Sequence, residues 1–203
     1  MNTLVSVIVT TYKRPLGLVQ RAVDSVIRQT WKRIEIIVVD DNTDDDMLTL
    51  DLKRIEQLYP DQNLRYVSYK GNHGACYARN YGLNLASGKY IAYLDDDDEW
   101  IPEKIEKQVK QIENSGAALI YCSALVKNDT TGELSHGNKC KYKGWVYQDL
   151  IMENFIGSTS FPLLDKESAI KVGGFDINMQ SAQDYDLWLR LCKEYKIDYV
   201  NEE

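Results

Sequence analysis

The sequence predicts an α/β fold built on a mostly parallel sheet with helices on both faces, and three observations predict it. Short apolar runs alternate with segments of helical period through the first hundred residues. The run Ile34 to Val39 is continuously apolar, as a strand covered on both faces is. Acidic or hydroxyl-bearing residues stand directly after several of these runs, where open α/β sheets bind their ligands.

Taken in order, Leu4 to Thr10 is a β-branched apolar run that predicts a first strand. Pro15 then opens a helix carrying Leu16, Val19, Ala22, Val23, Val26 and Ile27 at helical spacing. Ile34 to Val39 is the second strand, and Met47 to Tyr59 predicts one helix through Leu48, Leu52, Ile55 and Leu58, stopped by Pro60. Leu64 to Ser68 alternates as a strand does. Ala75 to Ala86 is an alanine-rich helix with Leu83 and Leu85, and Gly88 separates it from the Tyr90 to Leu94 strand. Repeated strand–helix alternation implies right-handed crossovers.

The second half is less regular. Pro102 to Ile112 predicts an amphipathic helix, Ala117 to Lys127 a strand pair leading to the turn NDTTGE, and residues 128 to 160 a glycine-containing loop region. GGFD at 173 to 176 is a glycine turn, and Asp184 to Tyr195 carries Leu187, Trp188 and Leu191 at helical spacing. No repeat or linker interrupts the chain, so residues 1–203 are expected to form a single domain.

With 203 residues, 44% of them hydrophobic, and a formal net charge of −7, the composition is that of an ordinary globular domain. The acidic balance argues against sequence-independent binding to nucleic acid or anionic lipid. No run approaches the roughly 18 apolar residues of a membrane helix, and the N-terminus reads as a strand and not as a signal peptide. Cys76, Cys122, Cys140 and Cys192 are scattered without zinc-type spacing, which suits reduced thiols in a cytoplasmic protein.

The stretch YIAYLDDDDEW, residues 90 to 100, poses the functional question. Two unit charges about 4 Å apart repel by roughly 1 kcal/mol in water and roughly 4 kcal/mol near a protein surface. The cluster is therefore either solvated or holds a cation. Hard oxygen donors without imidazole suit Mg2+ or Mn2+, with phosphate oxygens and water completing the coordination. The plain alternative is an acidic loop capping the helix after Pro102, a role that fits Asp98 and Glu99 best; the ion reading is preferred for Asp95 to Asp97. An EF-hand counted from Asp40 would need glycine where Asp45 stands, and is rejected. Phosphate-loop, dinucleotide and hydrolase signatures are missing.

Five blocks in register, VSVIVTTYKRP, IEIIVVDDNTDD, GACYARNYGLNLASGKYIAYLDDDDEW, GGFD and QDYDLWLRL, resemble the family 2 inverting glycosyltransferases from about residue 4 to residue 200. The resemblance implies the GT-A fold, a Rossmann-like mostly parallel sheet flanked by helices on both faces. It also implies transfer of a sugar from a nucleotide-diphosphate sugar, UDP-sugar above all, to the hydroxyl of a glycan or other acceptor, in polysaccharide or surface glycan synthesis. A lipid-linked acceptor would bring peripheral membrane association, without nucleic acid as a partner.

By the same resemblance, Thr10, Tyr12 and Asp41 fall at the nucleotide base, and Arg79 points toward the nucleotide. Asp95 or Asp96 meets the ribose, and Asp97 binds the Mn2+ or Mg2+ that bridges the diphosphate. Asp184 is the base that takes the acceptor proton. The plain alternatives are a core-edge aromatic for Tyr12, a helix cap for Asp41, a surface ion pair for Arg79 and simple core filling for Trp188; Asp40 is given a structural role, and Asp186 a place at the positive end of the helix dipole. Lys13 stands where many relatives have asparagine, and Gln183 where a second acid is common. The chain also stops soon after Asp184, so it is expected to lack C-terminal elements of its relatives, as a natural short form or a truncated chain. The second reading, of a different class, is a catalytically incomplete module that binds nucleotide sugars.

Overall fold

The computed structural model describes residues 3–42, 47–128 and 130–202. Asp45 and Asp129, which enter the loop readings above, lie outside the described residues. The first half follows the alternating pattern closely: β1 (Val5–Thr11), α1 (Leu16–Ile27), β2 (Ile34–Asp40), α2 (Met47–Leu52), α3 (Ile55–Leu58), β3 (Leu64–Ser68), α4 (Ala75–Leu85) and β4 (Tyr90–Asp95). After it come α5 (Lys104–Ser115), β5 (Leu119–Cys122), β6 (Leu125–Lys127), β7 (Leu134–His136), α6 (Tyr147–Met152), β8 (Leu163–Asp165), α7 (Lys166–Lys171), α8 (Gln183–Glu194) and β9 (Ile197–Val200).

Seven strands form one sheet in the order β3-β2-β1-β4-β8-β5-β9. β1 pairs in parallel with β2 on one side and β4 on the other, and β2 with β3. The chain therefore winds outward from β1 to β3 and returns to place β4 at β1's other edge. That reversal leaves a crevice beyond the carboxyl ends of β1 and β4. β8 runs antiparallel to both β4 and β5, which makes the sheet mixed only in this half.

Strand periodicity divides the core into two layers. Val5, Val7 and Val9 of β1 join Val19 and Val23 of α1 and Ile105 and Val109 of α5 on one face. Ile8, Ile37 and Val39 face the other way, onto Ala78 and Leu83 of α4 and Leu187 and Trp188 of α8. Trp188 is fully buried and donates its indole N–H to the Gly157 carbonyl at 3.0 Å, so it fills the core. Gly82 lets α4 lie close on β1, because a Cβ there would come within 2.5 Å of Ile8 Cγ2.

Several sequence expectations are corrected. The single helix over 47–59 is two short helices: Leu52 and Ile55 are both fully buried, and the three-residue step at Lys53 and Arg54 keeps both on the core. β5 and β6 do not pair with each other. β5 enters the main sheet, whereas β6 forms a separate hairpin with β7 inside the region expected to be loop. Asp98 and Glu99 do not cap α5. The buried side chain of Gln29, just past the end of α1, does so, accepting from Ile105 N at 3.0 Å and donating to the Ile101 carbonyl at 2.7 Å. Glu99 instead pairs with Arg21 at 3.2 Å, and Asp98 is half-buried.

Candidate functional site

The sheet reversal explains why residues remote in sequence meet. β1 ends in Thr10 and Thr11, in register with Asp95 and Asp40 of its two neighbours. Just beyond, Lys13 takes a left-handed backbone with φ 52°, which turns the chain back over the end of β4. An open cavity of about 510 Å³ lies there, and Thr10, Tyr12, Asp41, Arg79, Asp95, Asp96 and Asp97 all line it.

Asp41 organises one wall. Its Oδ1 accepts from the Tyr69 hydroxyl and from His73 N, both at 2.8 Å, and its Oδ2 from Gly74 N at 2.7 Å. These bonds fasten the loop that leads into α4. Gly74 has φ 86°, a conformation that costs little only for glycine. Burial pushes the Tyr69 phenol well above its usual range, and the neighbouring Asp41 adds to the shift. Asp40 lies behind, its Oδ2 accepting from Tyr66 at 2.8 Å and its Oδ1 from Asn42 N at 2.9 Å, which is a structural role. Tyr12 presents an accessible ring, 44% exposed.

The opposite wall centres on Asp95. Arg79, buried on α4 against the ring of Phe175, donates to Asp95 Oδ1 at 2.9 Å and reaches Gln183 Oε1 at 3.4 Å. The other oxygen, Oδ2, accepts from Thr159 at 3.0 Å and Ser158 at 3.4 Å, and the Ser160 hydroxyl accepts from Asp95 N at 3.0 Å. Nothing in the sequence pattern marked Ser158, Thr159 and Ser160, because small hydroxyl residues in a loop carry no periodic signal. Phe175, from the GGFD turn, is held by Asn80, whose Nδ2 donates to Phe175 O at 2.7 Å while its Oδ1 accepts from Phe175 N at 2.9 Å.

Asp96 and Asp97 form a turn just past β4, closed by Asp98 N donating to the Asp95 carbonyl at 3.1 Å, and their side chains differ in burial. Asp96 is buried, and burial pushes its carboxyl above the ordinary range while the Arg14 guanidinium pulls against that shift. Asp97 is open, with 56% of its side chain exposed. Arg14 spans the two, its Nε 3.2 Å from Asp96 and its Nη2 3.3 Å from Asp97. Burial likewise raises the Asp98 carboxyl, opposed by a hydrogen bond from Ser160.

Asp184 stands apart from the cavity lining, in the first turn of α8, with its Oδ1 accepting from Tyr185 N at 2.8 Å. Its neighbour Gln183 joins α8 to Arg79, so the start of this helix is tied to the end of β4 through two side chains. Asp186 turns away and pairs with Arg190 at 2.6 Å.

Among the described residues, no three His, Cys, Asp or Glu side chains stand close enough to hold a metal ion by themselves. The donors present are one accessible carboxylate and one buried neighbour, all hard oxygen. That set fits Mg2+ or Mn2+ held by one or two carboxylates, with diphosphate oxygens and water supplying the rest. A second cavity, of about 140 Å³ and walled by Trp100, Lys104 and Phe161, is too small for a nucleotide.

A family model described as glycosyl transferase family 2 matches residues 6–181. The UDP-Glc:alpha-D-GlcNAc-diphosphoundecaprenol beta-1,3-glucosyltransferase WfaP of Escherichia coli is 32% identical over 202 residues, covering 94% of this chain and 71% of WfaP. Among solved structures, S. aureus TarS 1-349 superposes with a TM-score of 0.76 at 18% identity, over 98% of this chain and 58% of that one; TarS is also known in complex with UDP and with UDP-GlcNAc. The mannosyltransferase PcManGT from Pyrobaculum calidifontis, in complex with GDP-Man and Mn2+, gives 0.74 at 21% identity, over 98% of this chain and 55% of that one. The chain thus spans a little over half of each of these structures, and what it shares with them is the GT-A fold.

Proposed function

The chain belongs to glycosyl transferase family 2, and from that premise we propose that it moves a sugar, with inversion, from a UDP-sugar to an acceptor hydroxyl in polysaccharide or surface glycan synthesis. The observation that carries this reading is the cavity at the sheet reversal, where Tyr12, Asp41, Arg79 and the aspartates after β4 converge. The nucleotide sugars bound by TarS and PcManGT support the donor class, and the GlcNAc-diphosphoundecaprenol in the name of WfaP supports a lipid-linked acceptor. No helix among the described residues is long and apolar enough to cross a membrane.

In this reading Tyr12 stacks on the base beside Thr10, and Asp41 accepts from a ring N–H at the one acceptor position its three existing hydrogen bonds leave, on Oδ2. Asp95 or Asp96 meets the ribose hydroxyls, Asp95 being held in place by Arg79, Thr159 and Ser158, and Arg79 lies toward the nucleotide. Asp97 holds the divalent ion, which when bound neutralises charge developing on the leaving diphosphate. Asp184 takes the proton from the attacking hydroxyl, its place fixed by the Gln183–Arg79 link.

Isothermal titration of UDP into the metal-free protein, with and without Mn2+, and again with Asp97→Asn, tests the site. Mn2+-dependent binding that the substitution removes is the expected result. No UDP binding to the folded wild type under either condition would overturn the reading.

A further inference from the structure

Arg14 is the one guanidinium that bridges Asp96 and Asp97 among the described residues, at 3.2 and 3.3 Å. Asp95 is neutralised separately by Arg79. The two carboxylates that face the cavity beyond it therefore already have a cation between them. Arginine does not deprotonate in proteins, so this competitor is present at every working pH. We infer that Arg14 is a placeholder cation which releases Asp96 and yields Asp97 to the divalent ion only when a diphosphate arrives to receive it, so that this one side chain makes ion binding depend on the nucleotide. The inference rests on the proposed function and deepens it.

Three features of the chain fit such an exchange. Arg14 is held loosely, with 44% of its side chain exposed, so it leaves by rotating side-chain bonds alone. Its backbone is set by the left-handed turn at Lys13, which keeps it over the cavity whichever partner it takes. The strand end does not depend on it: Arg21, from α1, donates to the Asp97 carbonyl at 2.9 Å and also pairs with Glu99 at 3.2 Å, so Asp97 stays in place when Arg14 departs.

The charges give the direction of the coupling. Two carboxylates with Arg14 sum to one negative charge, and a divalent ion added alone meets a resident guanidinium. A diphosphate supplies the anion that Arg14 lacks once displaced, and guanidinium binds phosphate oxygens in the same forked manner as carboxylate.

The test is Mn2+ titration of the wild type, Arg14→Gln and Arg14→Lys, each with and without UDP, after circular dichroism melts have confirmed folding. Wild type is expected to bind Mn2+ weakly alone and much more tightly with UDP. Arg14→Gln should bind Mn2+ alone about tenfold or more tighter than wild type, about 1.4 kcal/mol, with a smaller gain from UDP; Arg14→Lys, a point charge without the fork, should fall between them. Equal Mn2+ affinity of wild type and Arg14→Gln without UDP would overturn the inference while leaving the proposed site standing. Failure of the wild type to bind Mn2+ even with UDP would overturn both.

Discussion

Arg79 and Asp95 form a largely buried ion pair at 2.9 Å that joins α4 to the end of β4, with Phe175 beneath the guanidinium. Removing Arg79 leaves a carboxylate with hydroxyl partners only, so Arg79→Met is expected to cost about 1–3 kcal/mol. Asp95→Asn should cost more, because it leaves the more deeply buried Arg79 guanidinium without a countercharge. A double-mutant cycle by urea denaturation should give a coupling of about 1 kcal/mol; strictly additive costs would show that the pair is incidental.

Asp184→Asn should lower sugar transfer by about 10²- to 10⁴-fold, the usual contribution of a positioned general base. Its UDP affinity should stay that of the wild type, because the side chain does not line the nucleotide cavity. A variant that transfers at the wild-type rate would assign the base elsewhere.

Lys104 is buried without a carboxylate partner; its Nζ donates to Gln108 at 2.9 Å and lies 4.1 Å from the centre of the Trp100 ring. Burial pushes the ammonium down to about 8, below its unfolded value, so the folded chain binds fewer protons than the unfolded one above that pH. The cost of Lys104 is thus fully present below pH 8 and is relieved as pH rises toward the unfolded lysine value. Lys104→Met is expected to be about 1–2 kcal/mol more stable at pH 7, with the advantage shrinking between pH 8 and 10. A pH-independent difference in chemical denaturation would refute the burial account.

The buried thiols act in the opposite sense. Burial raises Cys140 to about 11 and Cys192 to about 12, so both stay protonated in the folded chain while their unfolded counterparts ionise. Their contribution to stability is fully present below the unfolded thiol range and is lost progressively from there up to the raised folded values. Cys192→Ala should flatten the fall in stability above about pH 8.5, as read from melting temperatures across that range.

Gly174→Ala should destabilise by about 1–3 kcal/mol. The glycine has φ 65°, and a Cβ there would lie 2.5 Å from Asn80 Oδ1, the atom that holds Phe175 N. An unchanged melting temperature would show that this contact yields freely.

Much of the first half was legible because each apolar run there is long enough to show its period, and the reversal of strand order at β1 gathers the residues at their ends. The second half was not, for local reasons. β8 is three residues in FPLLD, directly behind a proline, and α6 and α7 have six residues each, too short for a helical stripe. Asp98 was read as solvated because sequence shows charge but not the half-buried place that Ser160 lines beside it. The cap of α5 comes from Gln29, 76 residues earlier, a partnership no local motif encodes.

The hydroxyl triplet Ser158, Thr159 and Ser160 ends the irregular stretch that begins after β6 and leads directly into β8, whose register against β4 is fixed by Leu163 opposite Ala92 and Leu164 opposite Ile91. The stretch is therefore anchored at its exit, both to the sheet and to Asp95, the first of the aspartates that line the cavity. New side chains on the exposed β6 and β7 hairpin can be absorbed upstream of that anchor, whereas Val146, Leu150, Phe155 and Ile156 of the same stretch are buried in the core. A lineage could in this way exchange the molecule that receives the sugar while inheriting the apparatus that delivers it.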